Sequence, residues 1–190
     1  MAALIGSGSY EWPDGPWLRA NMVSSVDGAA QGADGLSGTV NNEVDREAFS
    51  QLREGADALL VGAGTARAEG YRPADVPLVV VGHRLPLSLQ GEDSVRLVPG
   101  GSAAELRALV DSLRAEGLSR ILCEGGPSLL GDLVRAGLVD ELCLTLTPRL
   151  LAGDGRRILA GPLVDVPLSL TSLVEQDGTL LTRWLVACRA

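Results

Sequence analysis

Short apolar segments alternate along this chain with segments that are apolar on one helical face only. Residues 58–61, 78–81 and 120–123 have the length and composition of buried strands. Residues 43–54 carry apolar side chains at every fourth position, and residues 102–113 combine a capping box with a helical apolar stripe. Such an alternation is typical of a mostly parallel sheet with helices on both faces. The pattern therefore predicts an α/β fold.

The two ends of the predicted sheet differ from each other. Residues 17–23 indicate a first strand, and residues 141–147 alternate as a half-buried strand does. Residues 170–175 and 180–186 flank Asp177-Gly178, a sequence that favours a β-hairpin. We therefore expect the sheet to end in antiparallel strands.

The stretch Cys123-Glu124-Gly125-Gly126-Pro127 joins a predicted strand to a predicted helix. Proline is favoured at the first position of a helix, and glycine lets a ligand approach the main chain closely. The unpaired N–H groups at such a helix start attract phosphate. Because a carboxylate also stands at the turn, the stretch indicates one wall of a nucleotide-cofactor site.

Three further turns fall at the carboxyl ends of predicted strands, where ligands of open α/β sheets bind. They are Ser24-Ser25, Gly62-Ala63-Gly64-Thr65 and Gly82-His83. The second turn lacks the third glycine of a dinucleotide fingerprint, so taken alone it is an ordinary tight turn. Two glycine turns at equivalent strand ends nevertheless predict a nucleotide site.

Composition excludes several classes of function. All 16 basic residues are arginine, so there is no Walker lysine, no pyridoxal Schiff base and no amine nucleophile. A net charge of −8 and few aromatic residues argue against nucleic-acid binding, and no apolar run reaches the length of a membrane span. We expect neither partner. The length predicts one domain over residues 1–190, with residues 1–16 as a frayed N-terminal extension.

The histidine and cysteine content bears on metals and on the cellular compartment. His83 is the only histidine, and Cys123, Cys143 and Cys188 lie far apart in apolar runs. These spacings do not match a zinc site, and an odd number of buried thiols fits a reducing compartment. We expect no metal ion and a cytoplasmic protein.

Four polar residues beside the predicted turns have two interpretations each. Glu124 either interacts with a helix dipole or hydrogen-bonds a substrate and relays a proton. Arg53, in the last turn of its helix, either complements the dipole or clamps a phosphate. Glu69 is a solvated loop carboxylate unless it belongs to the site. His83, with Arg84, either lies in an exposed loop or pairs with a nucleotide 2′-phosphate.

Five segments, taken in order, resemble one known family. They are residues 21–28 (NMVSSVDG), 52–65 (LREGADALLVGAGT), 124–129 (EGGPSL), 137–142 (GLVDEL) and 147–153 (TPRLLAG). The chain resembles the pyrimidine reductases of riboflavin biosynthesis, the reductase part of the bifunctional deaminase–reductase. The resemblance runs from about residue 17 to the end. It implies a single-domain dihydrofolate reductase-like fold, with a mostly parallel central sheet, helices on both faces and a C-terminal antiparallel hairpin.

The same resemblance implies an NADPH-dependent reductase acting on 5-amino-6-(5-phosphoribosylamino)uracil. In that reaction the ribosylamine opens to an imine-like form that accepts hydride, which gives the ribitylamino product. The cofactor carries the hydride, and the protein supplies placement and electrostatics. The partner implied is a small phosphorylated pyrimidine, and the family implies a homodimer.

The resemblance also implies a set of site residues. The substrate contacts are Ser37, Arg53, Glu124 and, in place of a further family arginine, Arg72. The cofactor contacts are Val23, Thr39, Gly62, Gly64, Thr65, Glu69, His83, Gly125, Gly126, Pro127, Ser128 and Leu129. The catalytic set is Glu124, Asn21 and Glu69. Arg53 would hold the sugar phosphate, and Glu124 would hold the reacting end.

The chain departs from the family pattern at two places. Many bacterial members have lysine at the position of Asn21, although others have asparagine there. Glu69-Gly70-Tyr71 stands where Asp-Asp-Pro is usual. The sequence also lacks the H-x-E and P-C-x-x-C motifs of the deaminase half. The resemblance therefore implies a stand-alone reductase.

Two other functions remain open. One is an enzyme of the same fold with another substrate, including dihydrofolate. A dihydrofolate reductase would carry an acidic residue on its first long helix and an aromatic-rich pocket, whereas Phe49 is the only phenylalanine here. The other is a non-catalytic NADP-binding module, which the Glu69-Gly70-Tyr71 departure favours. Arg53, Ser37 and Glu124 oppose it, because a cofactor binder has no need of a substrate clamp.

Overall fold

An eight-stranded sheet forms the centre of the computed structural model, which describes residues 10–187. The strands are β1 Trp17–Ser25, β2 Ala58–Gly62, β3 Leu78–Val81, β4 Val95–Val98, β5 Arg120–Cys123, β6 Glu141–Thr147, β7 Leu168–Gln176 and β8 Thr179–Val186. The helices are α1 Glu43–Arg53, α2 Ala63–Ala68, α3 Ala103–Ala115 and α4 Pro127–Arg135. The strand order is β4-β3-β2-β5-β1-β6-β8-β7.

The first six strands pair in parallel, and β8 and β7 join the edge beside β6 in antiparallel orientation. Helices α3 and α4 pack on one face of the sheet, where Val110 and Leu130 are buried. Helix α1 packs on the other face through Ala48 and Leu52. Strands β2 and β3 are apolar because both of their faces are covered. The predicted α/β architecture and its C-terminal hairpin are confirmed.

The predicted caps fix where α1 and α3 begin. The Asn42 side chain accepts a hydrogen bond from the Asp45 N–H at 3.0 Å. Ser102 and Glu105 form the reciprocal capping box expected from the sequence. Both interactions satisfy N–H groups that a helix start leaves unpaired.

The prediction of a frayed extension through residue 16 is wrong for residues 10–16. Tyr10 is buried, and its carbonyl accepts a hydrogen bond from Arg19 Nη1 at 2.9 Å. Trp12 Nε1 donates to the Glu54 carbonyl at 3.0 Å. The buried Tyr10, bonded to Arg19 through its carbonyl, and the Trp12 indole thus anchor a segment that its glycine and serine content suggested was loose. Residues 1–9 lie outside the described part of the chain.

The turn expected at residues 62–65 is a sharp strand-to-helix junction, at which Gly62 ends β2 and Ala63 begins the short helix α2. Only six residues long, α2 has no apolar period that a sequence could reveal. Cys123 and Cys143 are buried free thiols, as predicted, and burial raises the pKa of each to about 12. Cys188 lies outside the described residues. Within residues 10–187 no helix is long and apolar enough to cross a membrane.

Candidate active site

A cleft of about 1890 Å³ opens at the carboxyl ends of the central strands. One face of α1 forms one of its sides. The predicted site residues that line it are Asn21, Val23, Ser37, Arg53, Gly62, Gly64, Thr65, Glu69, Arg72, His83, Glu124, Gly126, Pro127, Ser128 and Leu129. Two predicted residues do not line it, Thr39 and Gly125. The strand order therefore brings together residues that are up to 108 positions apart in the sequence (21 and 129).

The Ser24-Ser25 turn does not contribute to the cleft, contrary to the prediction. Both serines are buried, and the Ser25 hydroxyl donates to Asp27 Oδ1 at 2.5 Å. Asp27 in turn accepts hydrogen bonds from the N–H groups of Leu151 and Ala152. The Ser25 hydroxyl and these N–H groups hold the pKa of Asp27 below its usual value. Through Asp27, the turn holds the loop at Leu151 and Ala152 and does not line the cleft.

Glu124 lies at the centre of the cleft and is held on both carboxylate oxygens. Arg53 donates from Nε to Oε1 at 2.6 Å and from Nη2 to Oε2 at 2.7 Å. The Glu124 side chain is 1% exposed and that of Arg53 is 36% exposed. Burial lowers the pKa of Arg53, but Glu124 raises it more, so its pKa lies above the usual value. The two-pronged, charge-assisted pair fixes the orientation of the Glu124 side chain.

Tyr71 completes this arrangement, and the sequence reasoning did not identify it as a site residue. Its hydroxyl donates to Glu124 Oε2 at 2.7 Å. Burial, and then the negative charge of Glu124, raise the pKa of Tyr71 well above its usual value. The Arg53 guanidinium stacks over the Phe49 ring at 4.5 Å and lies 5.9 Å from the Tyr71 ring. The one available signal was the departure at Glu69-Gly70-Tyr71, which places a tyrosine where the family has another residue.

The two glycine turns are in direct contact. The Gly62 N–H donates to the Gly125 carbonyl at 2.7 Å. A side chain added at Gly126 would meet the Thr65 hydroxyl at 2.2 Å, so only glycine fits there. Gly126 precedes α4 without a side-chain cap, which leaves the first N–H groups of that helix directed at the cleft. This wall therefore offers backbone donors to an anion, as the sequence predicted.

Glu69 is an exposed residue that bridges two segments of the cleft wall. Its Oε1 accepts the Ser37 N–H at 2.8 Å. Ser37 begins a short 3₁₀ helix that ends at Thr39, whose hydroxyl lies 3.4 Å from Asp34 Oδ2. Glu69 thus positions Ser37, and it acts on the site through that loop. Glu69 is thus solvent-exposed, as the interpretation as a solvated carboxylate expects, and it also has a main-chain partner in Ser37.

Exposed basic side chains lie at the mouth of the cleft. His83 and Arg84 follow β3, and Arg67 Nη1 donates to the Arg84 carbonyl at 3.2 Å. Arg72 is exposed directly after Tyr71. Across residues 10–187, no group of three or more His, Cys, Asp or Glu side chains is arranged to hold a metal ion.

Two buried polar side chains, one on β1 and one on α1, line the cleft. Asn21, on β1, is 8% exposed and lines the cleft. Asp45, on α1, is 4% exposed and also lines the cleft, and the sequence analysis did not single it out. The chain thus has an acidic residue on its first long helix that faces the site. No sequence signal marks Asp45, which stands between the apolar positions Val44 and Ala48. A single helical turn contains residues of both the buried and the exposed face.

The fold and this cleft agree with a family match over most of the chain. Residues 16–181 match the family described as the RibD C-terminal domain. The chain belongs to this family. The RibD protein of Mycobacterium tuberculosis is 33% identical to this chain over 154 residues, which cover 73% of the chain. The chain spans 44% of the length of that relative.

Other relatives of this RibD C-terminal domain match over most of their own length. One is the 2,5-diamino-6-ribosylamino-4(3H)-pyrimidinone 5′-phosphate reductase of Methanothermobacter thermautotrophicus, 25% identical over 79% of this chain and 86% of the relative. A pyrimidine reductase-like protein of Corynebacterium diphtheriae has a similar structure, with a TM-score of 0.79, 24% identity and coverage of 90% and 92% of the two chains. Dihydrofolate reductase of Enterococcus faecalis shares the fold, with a TM-score of 0.61, 16% identity and coverage of 90% and 96%. The dihydrofolate reductase-like fold predicted from the sequence is confirmed.

Proposed function

We propose that this chain is an NADPH-dependent reductase of a phosphoribosylaminopyrimidine in riboflavin biosynthesis, with 5-amino-6-(5-phosphoribosylamino)uracil as its substrate. The observation that carries the proposal is the Arg53–Glu124–Tyr71 group, which lies directly beside the glycine-rich helix start. A reductase that binds both NADPH and a phosphorylated substrate needs an anion-binding wall for the cofactor. It also needs a fixed carboxylate and an arginine beside that wall for the substrate. The names of the relatives support the same reaction class.

The residues at the β2 and β5 ends fit the phosphates of a dinucleotide. Gly126 and Thr65 are in close contact, and both line the cleft. The N–H groups of Ser128 and Leu129, in the first turn of α4, are the donors that a phosphate would use. His83 and Arg84 would hold the 2′-phosphate that distinguishes NADPH from NADH. Val23 and Gly64 line the same wall.

Arg53 and its neighbours fit the phosphate end of the substrate. Glu124 occupies Nε and Nη2 of Arg53, which leaves the Nη1 edge for a ligand. Ser37 and Arg72 line the cleft nearby and would complete the phosphate contacts. Because Glu124 offsets much of the charge of Arg53, the second arginine is needed to hold a dianion.

The chemistry of the proposed reaction needs a site that stabilises a cation. NADPH, when bound, supplies the hydride that reduces the ring-opened imine. Glu124, oriented by Arg53 and Tyr71, would place its carboxylate where the protonated imine lies and so lower the energy of that cation. The Asn21 amide can accept from or donate to the sugar hydroxyls at the same place. The buried position of Glu124 keeps water away and strengthens this interaction.

The decisive experiment follows the reduced-nicotinamide absorbance with three mixtures. The purified chain and NADPH are combined with the uracil substrate, with dihydrofolate, or with neither. Oxidation with the uracil substrate alone is the expected result. Tight NADPH binding without turnover on either compound would contradict the proposal and favour a cofactor-binding module.

Gly126→Ala is expected to weaken NADPH binding about tenfold or more and to lower the melting temperature. The new methyl group would meet the Thr65 hydroxyl at 2.2 Å and push apart the two turns that form the cofactor wall. Gly64→Ala is the matched control, because a Cβ there has nothing within 4 Å and the residue lies in α2. That control should keep or slightly raise the melting temperature. Equal melting temperatures for both variants would exclude the close contact at Gly126.

Arg53→Ala is expected to raise KM for the phosphorylated substrate about tenfold or more while changing KM for NADPH less than about twofold. Removal of the guanidinium takes away the phosphate contact and the partner of Glu124. Arg46→Ala serves as the control, since Arg46 lies on the same helix, lines the cleft and bonds to Asn41. An unchanged substrate KM in Arg53→Ala would refute the clamp.

Dihydrofolate reduction is the second candidate function, and one observation favours it. Asp45 is an acidic residue on the first long helix that faces the cleft, which is the feature expected of a dihydrofolate reductase. The cleft has few aromatic side chains for a folate, Phe49 and Tyr71 among its lining residues. The three-mixture assay separates this candidate from the first.

The proposed enzyme would work as a cytoplasmic homodimer. Strand β7 lies at the free edge of the sheet, and its Leu168, Leu170 and Leu173 side chains are exposed. An apolar edge strand of this kind favours pairing with another chain. Sedimentation of the purified protein would show the expected mass of two chains or contradict the dimer. The cytoplasm stays a prediction, based on the buried free thiols.

A further inference from the structure

The Asp45 carboxyl group has one oxygen with no partner. Asp45 is 4% exposed, and its Oδ1 makes no hydrogen bond within residues 10–187. Within residues 10–187, the only other buried side-chain N or O atom without a hydrogen-bond partner is Arg114 Nε, on α3. Buried polar atoms in folded proteins are nearly always hydrogen-bonded. An unpaired one loses its hydrogen bonds to water and gains none in the protein, which costs free energy. An orphaned carboxylate oxygen that faces a cleft therefore indicates a ligand.

The surroundings of Asp45 fix its position. Its N–H is bound by the Asn42 side chain at 3.0 Å, which holds the helix start. Burial raises the pKa of Asp45, while a hydrogen bond from the Thr145 side chain lowers it less. The carboxyl group is thus tied down on the side of the sheet, and Oδ1 is left as the free acceptor. Asp45 itself is among the residues that line the cleft.

Asp45 lies at the opposite end of one helix face from Arg53. Asp45, Phe49 and Arg53 follow one another at intervals of four residues along α1, and all three line the cleft. Eight residues of α-helix span about 12 Å. An extended ring-opened phosphoribosylaminopyrimidine is of similar length, so a ligand with its phosphate at Arg53 would bring its ring to Asp45.

Sheet topology separates Asp45 from the cofactor wall. Thr145, which contacts Asp45, lies on β6, whereas the glycine turns follow β2 and β5. The strands run in the order β2-β5-β1-β6, so β6 is three strand spacings, about 14 Å, from β2. Asn21 on β1 faces the same side as Val23, which pairs with Thr145. Asp45, which contacts β6, therefore lies two strand spacings, about 10 Å, from β5 and the start of α4, whereas Asn21 on β1 lies next to β5.

We propose that Asp45 Oδ1 is the acceptor for an N–H group of the pyrimidine ring, and that it anchors the ring of the substrate at the end of the cleft opposite Arg53. The inference rests on the proposed function for the identity of the ring. An amino-substituted pyrimidine carries ring and exocyclic N–H donors, which a carboxylate oxygen accepts strongly.

The test compares three ligands on two matched variants. Asp45→Ala removes the acceptor, and Glu43→Ala makes the same change at an exposed acidic residue in the first turn of the same helix. Dissociation constants are measured by calorimetry for the ribitylaminopyrimidine phosphate product, for ribitol 5-phosphate and for NADPH. Melting temperatures of the unliganded proteins are measured alongside.

For Asp45→Ala we expect about a tenfold or greater loss of affinity for the pyrimidine product, from the loss of a hydrogen bond to a charged acceptor. Ribitol 5-phosphate has no ring, so its affinity should change less than about twofold, as should that of NADPH. The melting temperature of the unliganded variant should not fall, because the substitution removes an unpaired buried carboxylate and adds a strong helix former. Glu43→Ala should leave all three affinities unchanged.

Two outcomes would overturn the inference while the proposed function stands. One is an Asp45→Ala variant that binds the pyrimidine product as the wild type does, and the other is an equal loss of ribitol 5-phosphate. A wild-type protein that binds no pyrimidine ligand would overturn both proposals. If the wild type instead binds dihydrofolate and Asp45→Ala loses it, the acceptor role is supported and the proposed substrate is refuted.

Discussion

Glu141→Gln is expected to lower the free energy of unfolding by about 3–5 kcal/mol, the range for breaking a buried ion pair. Glu141 Oε2 accepts from Arg19 Nε at 2.7 Å and from Trp17 Nε1 at 3.1 Å, and Oε1 accepts from Arg183 Nε at 2.6 Å. The side chains of Arg19 and Glu141 are 0% and 1% exposed. A neutral amide in place of the carboxylate would leave the Arg19 charge buried without compensation. Urea unfolding at neutral pH measures the loss.

The same substitution has a predictable pH dependence. Burial raises the pKa of Glu141, but the Arg183 and Arg19 interactions lower it more, so the folded-state pKa lies below the usual 4.5. Glu141 therefore stabilises the fold above about pH 4.5, and this contribution is lost as the pH falls from there through the lowered folded value. The wild type should lose stability in that window more steeply than Glu141→Gln does. Parallel stability curves for the two proteins would contradict the assignment.

An exposed pair provides the matched control. Glu116 pairs with Arg96, and the two side chains are 41% and 44% exposed. Because solvent screens such a pair, Glu116→Gln should change the free energy of unfolding by less than about 1 kcal/mol. Equal effects of the two Glu→Gln substitutions would mean that the Glu141 network does not bear on stability.

Glu124→Gln is expected to reduce kcat by about 10²-fold or more, the usual effect of removing one preorganised electrostatic group from an active site. The amide keeps the shape of the side chain but loses the charge that would stabilise the protonated imine. It also offers Arg53 a weaker partner, because the two charge-assisted hydrogen bonds at 2.6 and 2.7 Å depend on an anion. Steady-state kinetics with the uracil substrate, together with NADPH binding, measures the effect.

Tyr71→Phe separates the charge of Glu124 from its orientation. That variant keeps the ring near Arg53 and leaves the Arg53–Glu124 pair intact, while it removes the 2.7 Å hydrogen bond to Glu124. We expect a loss of activity of at most about tenfold, and NADPH binding within twofold of the wild type. If Glu124→Gln retained full kcat while Tyr71→Phe lost it, Glu124 would not be the group that stabilises the reacting cation.

The sequence predicted those parts of the site that depend on local backbone conformation. The strand, the two glycines and the helix start at residues 120–127 follow from short-range preferences, and the structure has them where they were expected. The segments with wrong predictions were those in which distant contacts outweigh composition. Residues 10–16 are anchored through Tyr10 and Trp12. In the Ser24-Ser25 turn, the Ser25 hydroxyl donates a hydrogen bond to Asp27.

Tyr71 and Asp45 were missed for the same reason. Tyr71 acquires its role only through Glu124, 53 residues further along the chain. Asp45 has an ordinary place near a helix start, and its meaning comes from Thr145 and from the cleft on its open side. No local pattern carries either relation.

The sequence by itself determined the alternation of strands and helices, the capped helix starts and the glycine turns at strand ends, because steric limits and neighbouring hydrogen bonds act over a few residues. Only the tertiary structure decided which charges meet. Glu124 pairs with Arg53 across 71 positions, and Glu141 pairs with Arg19 across 122. These pairs depend on the strand order β2-β5-β1-β6, which the packing of the whole chain sets, and Coulomb attraction then acts between whichever groups that packing brings within hydrogen-bonding distance.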